Sequence, residues 1–79
     1  MIVVGAYARI DPAEPEAVRS RLDHLAGVET FDLGDPFRVG LLIEAPTFED
    51  AHERIQQVIP AVEGVLGVWP IFVGDDTAR

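Results

Sequence analysis

The chain has 79 residues, 14 acidic side chains against 6 basic ones, and a net charge of −8. A chain this short forms one compact domain, and the charge argues against nucleic acid, whose binding depends on Lys and Arg neutralising phosphates. All 6 basic residues are arginines and cysteine is absent, which removes lysine Schiff bases, a phosphate-loop lysine, disulfides, thiolate metal sites and thiol catalysis.

Hydrophobic residues make up 48% of the chain, too many for a disordered acidic tail. Ile2 to Ile10 is a β-branched and aromatic run that predicts a first strand. No basic segment precedes this run, and Pro12, Glu14, Pro15 and Glu16 interrupt it, so it reads as neither a signal nor a transit peptide. No stretch approaches the ~18 apolar residues of a bilayer span. The expected location is the cytoplasm.

Asp11 as cap, Pro12 at the first helical position and Glu14 three residues after the cap signal a helix. Its apolar stripe is Ala13, Ala17, Val18, Leu22, Leu25 and Ala26, and Gly27 ends it. Val28 to Leu33 predicts a weaker second strand, followed by a turn at Gly34-Asp35-Pro36. Arg38 to Glu44 is a strong third strand. Thr47 caps a second helix, answered by Asp50, with a stripe of Phe48, Ala51, Ile55, Val58, Ile59 and Val62 and an exit at Gly64. Val65 to Val73 predicts the last strand. Residues 1–74 are thus expected to form a single domain and 75–79 a polar, loose tail.

The order β-α-β-β-α-β predicts a ferredoxin-like α+β fold: a four-stranded antiparallel sheet with both helices on one face. Strands one and three then lie in the centre, and Pro70 suits an edge position for strand four.

Two helices cover one side of such a sheet, and the other side should be polar if it is wet. Here it is not. On strand one Val4, Ala6, Ala8 and Ile10 face the helices, leaving Val3, Gly5, Tyr7 and Arg9 outward. On strand three Val39, Leu41 and Ile43 face inward, leaving Arg38, Gly40, Leu42 and Glu44 outward. On strand four either parity is apolar, and Val65, Gly67, Trp69, Ile71 and Val73 are assigned outward. The open face then carries Val3, Tyr7, Leu42, Trp69 and Ile71. Burying these five would contribute on the order of ten kcal/mol before binding entropy is subtracted, and Trp69 and Leu42 are expected to be exposed. An apolar patch of this size marks a partner site: a second copy packed sheet to sheet, or a peptide. Gly5, Gly40 and Gly67 on the same face would either let another backbone come close or mark a bulge or local twist.

Catalytic chemistry is missing. His24 and His52 fall on the polar sides of their helices, and His52-Glu53 lacks the second histidine of a zinc motif. Ser20 is the single serine and has no nucleophile elbow. No carboxylates form an evident acid–base pair, so an enzyme is not expected. Asp32, Asp35, Glu44, Glu63, Asp75 and Asp76 lie at strand ends or in the tail. They read either as solvated surface or as a rim that attracts a basic partner.

Leu22-Asp23-His24-Leu25-Ala26-Gly27-Val28-Glu29 and Val62-Glu63-Gly64-Val65-Leu66-Gly67-Val68 resemble the NapD family, assembly chaperones of the periplasmic nitrate reductase. The likeness runs from about Ile2 to Val73. It implies a cytoplasmic chaperone that binds the twin-arginine signal peptide of the molybdenum-containing reductase's catalytic subunit. Export would be held back until the cofactor is inserted, and the chaperone would have no catalysis or cofactor of its own. On this reading the peptide-binding residues are Val3, Gly5, Tyr7, Arg9, Gly40, Leu42, Glu44, Gly67, Trp69 and Ile71. The family's last strand tends to close on an aromatic–histidine pair, where this chain has Ile71-Phe72-Val73-Gly74. The alternative is a stand-alone effector-sensing domain of the Lrp/AsnC type, which shares the βαββαβ order, dimerises through its sheet and binds a small molecule.

Overall fold

The computed structural model describes residues 1–75, the last by its backbone alone. The elements are β1 (Ile2–Ile10), α1 (Pro15–Asp23), β2 (Val28–Asp32), β3 (Arg38–Ala45), α2 (Phe48–Glu53) continued by a π-helical turn (Arg54–Val58), and β4 (Val65–Asp75). The strands form one antiparallel sheet in the order β2-β3-β1-β4. This is the expected ferredoxin-like architecture, with β1 and β3 central.

Alternation along the two central strands builds the core. Ile2, Val4, Ala6, Ala8 and Ile10 of β1 are each at most 5% exposed, and Val39, Leu41, Ile43 and Ala45 of β3 are buried as deeply. They form one cluster with Val18 and Leu22 from α1 and with Ala51, Ile55 and Ile59 from the second helical segment. Ala6 and Ala8 keep the middle of β1 low, so the helices approach the sheet closely. No aromatic side chain belongs to this cluster.

The first helix starts later than its cap signal predicts. Asp11 makes a turn instead: its carboxylate accepts from the Ala13 amide at 2.9 Å. A residue before proline is disfavoured in helical backbone, and Glu14, before Pro15, sits at φ −138° and ψ 50°. The helix therefore begins at Pro15, and Ala13 is left exposed. It also stops at Asp23; the turn after it leads to Gly27, whose φ of +73° only glycine adopts without strain. Ala26 is exposed, while Leu25 packs half-buried on the core.

The second helix opens as expected, with the Thr47 hydroxyl accepting from the Asp50 amide at 3.1 Å. After Glu53 the hydrogen-bond step lengthens to five residues, closed by Ile59 N–H donating to the Arg54 carbonyl at 2.9 Å. A wider turn rotates the stripe out of its 3.6-residue phase. Ile55 and Ile59 stay buried, but Val58 is exposed, and so is Phe48 on the first turn, at 62%.

β4 runs through Gly74 and Asp75, two residues beyond the expected end, pairing with Val3 and Ile2. The rest of the expected tail, residues 76–79, lies outside the described residues. The pairing of β4 with β1 breaks register twice, so that Leu66 and Ile71 are extra residues with no opposite number on β1. They are the two most exposed apolar side chains of the strand, at 65% and 63%.

Candidate functional site: the uncovered face of the sheet

Cross-strand pairing sorts the face without helices into four rows, about 7 Å apart because side chains on one face recur every second residue. The first row is Glu44, Val3 and Gly74. The second is Glu29, Leu42, Gly5 and Phe72. The third is Phe31, Gly40, Tyr7 and Trp69, and the fourth is Arg38, Arg9 and Gly67.

The middle rows are paved with rings. Tyr7 and Trp69 stack with centroids 5.4 Å apart and planes 21° from parallel. The glycines are the floor of the paving. A Cβ at Gly5 would stand 2.1 Å from the Phe72 ring, one at Gly40 2.1 Å from the Phe31 ring, and one at Gly67 2.5 Å from the Trp69 ring. Each aromatic side chain therefore lies flat across a glycine, covering backbone that a side chain would otherwise shield. Gly5 and Gly40 are buried under their rings, so the chain's own aromatics, not a partner's backbone, hold that space; the other reading, a bulge, fits Gly5 and Gly67, beside which the two register shifts of β4 fall. The rings themselves remain open to contact, with Trp69 42% and Phe72 57% exposed.

Of the residues expected on this face, Val3, Gly5, Tyr7, Arg9, Gly40, Leu42, Glu44, Gly67 and Trp69 share it by register. Ile71 does not belong to the rows. It is the extra residue of the bulge, and Phe72 takes the place opposite Gly5 that strict alternation gives to Ile71. The same shift puts Val73 opposite Val4, on the helix side, where it lines a groove with Phe48, Ile55 and Pro70. Val65 pairs with Ile10, also on that side. Trp69 is exposed, as expected, and stacked on Tyr7, while Leu42, expected to be exposed, is half-buried.

Three contributors went unforeseen: Phe31, Glu29 and Phe72. The first two follow from β2 once Val28 is set facing the helices, since positions 29 and 31 then point the other way. Phe72 depends on the bulge at Ile71, which strict alternation along β4 does not foresee.

The fourth row is electrostatically organised. Arg38 donates through Nε to the Asp35 carboxylate at 2.9 Å, and its guanidinium lies 5.7 Å from the Tyr7 ring centroid. Asp35 also accepts from the Phe37 amide at 2.8 Å. That amide bond first, and Arg38 second, hold the Asp35 carboxyl below the ordinary carboxylate value. Tyr7, Arg9, Asp35, Phe37, Arg38 and Trp69 enclose an open depression of about 490 Å³. No carboxylate pairs with Arg9 among the described residues.

The acidic rim is reduced to a few members. Asp32 turns its carboxylate to the Gly34 amide, 2.7 Å away. The Glu63 carbonyl accepts from Arg21 of α1, on the helix side. The Asp75 side chain and Asp76 lie outside the described residues. Glu44, Glu29 and the Arg38-bound Asp35 are the carboxylates placed at this face. Among the described residues no group of acidic or histidine side chains is arranged to hold a metal, and no helix is long and apolar enough to cross a membrane.

No protein-family model matches the chain, and no curated protein matches it in sequence. A solved structure does: the solution structure of the E. coli Tat proofreading chaperone protein NapD, at a TM-score of 0.78, 19% identity, and coverage of 98% of this chain and 81% of that one. The chain has the NapD fold. At this identity the likeness concerns the path of the backbone, and it agrees with the resemblance carried by the Leu22–Glu29 and Val62–Val68 segments.

Proposed function

We propose that this protein is a cytoplasmic NapD-like chaperone. Its uncovered sheet face would bind the twin-arginine signal peptide of a molybdenum-containing nitrate reductase and delay export until the cofactor is in place. The observation that carries this reading is the paved face itself: Phe31, Tyr7, Trp69 and Phe72 stand on the side that no helix covers, flanked by Glu29 and Glu44. An apolar floor with carboxylates beside it is chemically matched to a peptide with a basic head and an apolar body. Stacked aromatics supply contact area at small entropic cost. Nothing in this role requires catalysis or a bound cofactor. The similarity to a Tat proofreading chaperone supports the reading at the level of the fold.

The test is an NMR titration of the full chain with a twin-arginine peptide. Saturable shifts at Phe31, Leu42, Trp69 and Phe72 are expected. A stable dimer at micromolar concentration whose sheet face ignores the peptide would overturn the reading in favour of the Lrp/AsnC-like alternative.

A further inference from the structure

The uncovered face is not uniformly acidic, and its charges are separated along the strands. Glu44 and Glu29 occupy the first two rows, on the same face and diagonal to each other across β2 and β3. Arg38 and Arg9 are direct cross-strand partners in the fourth row. Like charges placed opposite each other in a sheet are destabilising; Asp35 is ion-paired with Arg38 and lies within Coulombic reach of Arg9, so one carboxylate serves two guanidinium groups and the row keeps a net positive charge. From the Val3–Glu44 pair to the Arg9–Arg38 pair is six residues, roughly 20 Å along the strands. Between the two ends lie Leu42, the Tyr7–Trp69 stack, Phe31 and Phe72.

We infer that this polarity fixes the direction of the bound peptide: its arginine-bearing head lies over Glu29 and Glu44, and its apolar body runs across the rings toward the Arg9–Arg38 row. The inference rests on the peptide-binding reading and adds an orientation to it. In the reverse direction the peptide's two guanidinium groups would meet Arg9 and a guanidinium already seated on Tyr7 and Asp35. That arrangement is repulsive, and it displaces an existing ion pair. The basic row thus acts against the wrong register as much as the acidic row favours the right one.

Orientation is read by paramagnetic broadening. The chain contains no cysteine, so a nitroxide attached to a cysteine at either end of a synthetic twin-arginine peptide reports from the peptide alone. With the label at the head, amides of Val3, Glu29 and Glu44 should broaden; with the label at the far end, those of Arg9, Arg38 and Gly67. The double variant Glu29→Gln/Glu44→Gln should weaken binding roughly two- to thirtyfold, the range of two exposed ion pairs, while Glu49→Gln/Glu53→Gln, the same charge change on the exposed surface of α2, should not weaken it. Head-label broadening at the Arg9–Arg38 row, or equal broadening at both ends, would overturn the orientation and leave the binding reading standing. Absence of any shift on the face would overturn both.

Discussion

Under the helices the central strands contribute Val4, Ala6, Ala8, Val39, Leu41 and Ile43, all aliphatic and all nearly inaccessible. On the other side the same strands contribute Gly5 and Gly40, with Phe72 and Phe31 lying across them, and Tyr7, stacked on Trp69. The aliphatic side is closed by interdigitation, so each methyl group removed leaves a void. The aromatic side is closed from below only, so its rings are supported yet still have a free surface. A sheet of this size can separate the task of staying folded from the task of gripping a partner by giving each its own parity.

The sharpest way to break that comparison is to damage each side in turn. Leu41→Ala on the covered side should lower stability by about 2–5 kcal/mol, measured by urea denaturation, while protein that stays folded keeps its peptide affinity. Trp69→Ala should cost roughly 1–2 kcal/mol of stability through the lost stack on Tyr7 and weaken peptide binding at least tenfold, as loss of an aromatic anchor does. A stability loss matching that of Leu41→Ala, with affinity unchanged, would merge the two sides into one core.

Gly5→Ala sharpens the picture. A methyl group at Gly5 meets the outer edge of the Phe72 ring, which can swing outward. Alanine gains about 0.5–1 kcal/mol of backbone stability over glycine in a strand, and the loss of ring cover offsets it. Stability should therefore change little, while the ring-current shifts around residue 5 disappear. Salt probes the charged ends: affinity for the twin-arginine peptide should fall a few-fold as exposed pairs are screened. The smallest effect concerns Asp35. Its folded-state value is lowered, so the bonds to Phe37 and Arg38 stabilise the turn above the unfolded value of about 3.9 and are lost only as pH falls through the lower folded value. The Asp35 carboxyl resonance should titrate below a free aspartate, with the Phe37 amide shift following the same curve.

Element order, the pairing of β1 with β3 and the outward set Val3, Tyr7, Arg9, Leu42 and Glu44 were legible from alternation, because a period of two leaves one choice once Val4 and Leu41 face inward. Three things were not. A cap signal at Asp11 competes with the restriction that Pro15 places on Glu14, and the proline prevails. The wide turn at Arg54–Val58 carries no local marker, so Val58 was assigned to a stripe that the helix rotates away, while Phe48, on the first turn, lines an open groove with Pro70 and Val73. The bulge at Ile71 lies in a run where every residue is apolar, and such a run cannot report which member is extra. Gly5 and Gly40 left two readings open, since a glycine in a strand signals a close approach or a twist but not whose atoms make the approach.

The irregular pairing of β4 has a consequence for solubility. From Val65 to Gly74 the strand has no charged side chain, and it lies at the margin of the sheet, a composition that invites strand-to-strand polymerisation. What stands in the way is shape: Pro70 offers no amide hydrogen, and the kinks at Leu66 and Ile71 prevent the long, straight row of donors and acceptors that a growing fibril needs as a template. Deleting Ile71 would leave Phe72 opposite Gly5 and the face intact, yet it would straighten that margin and favour the stacking of chains into cross-β aggregates.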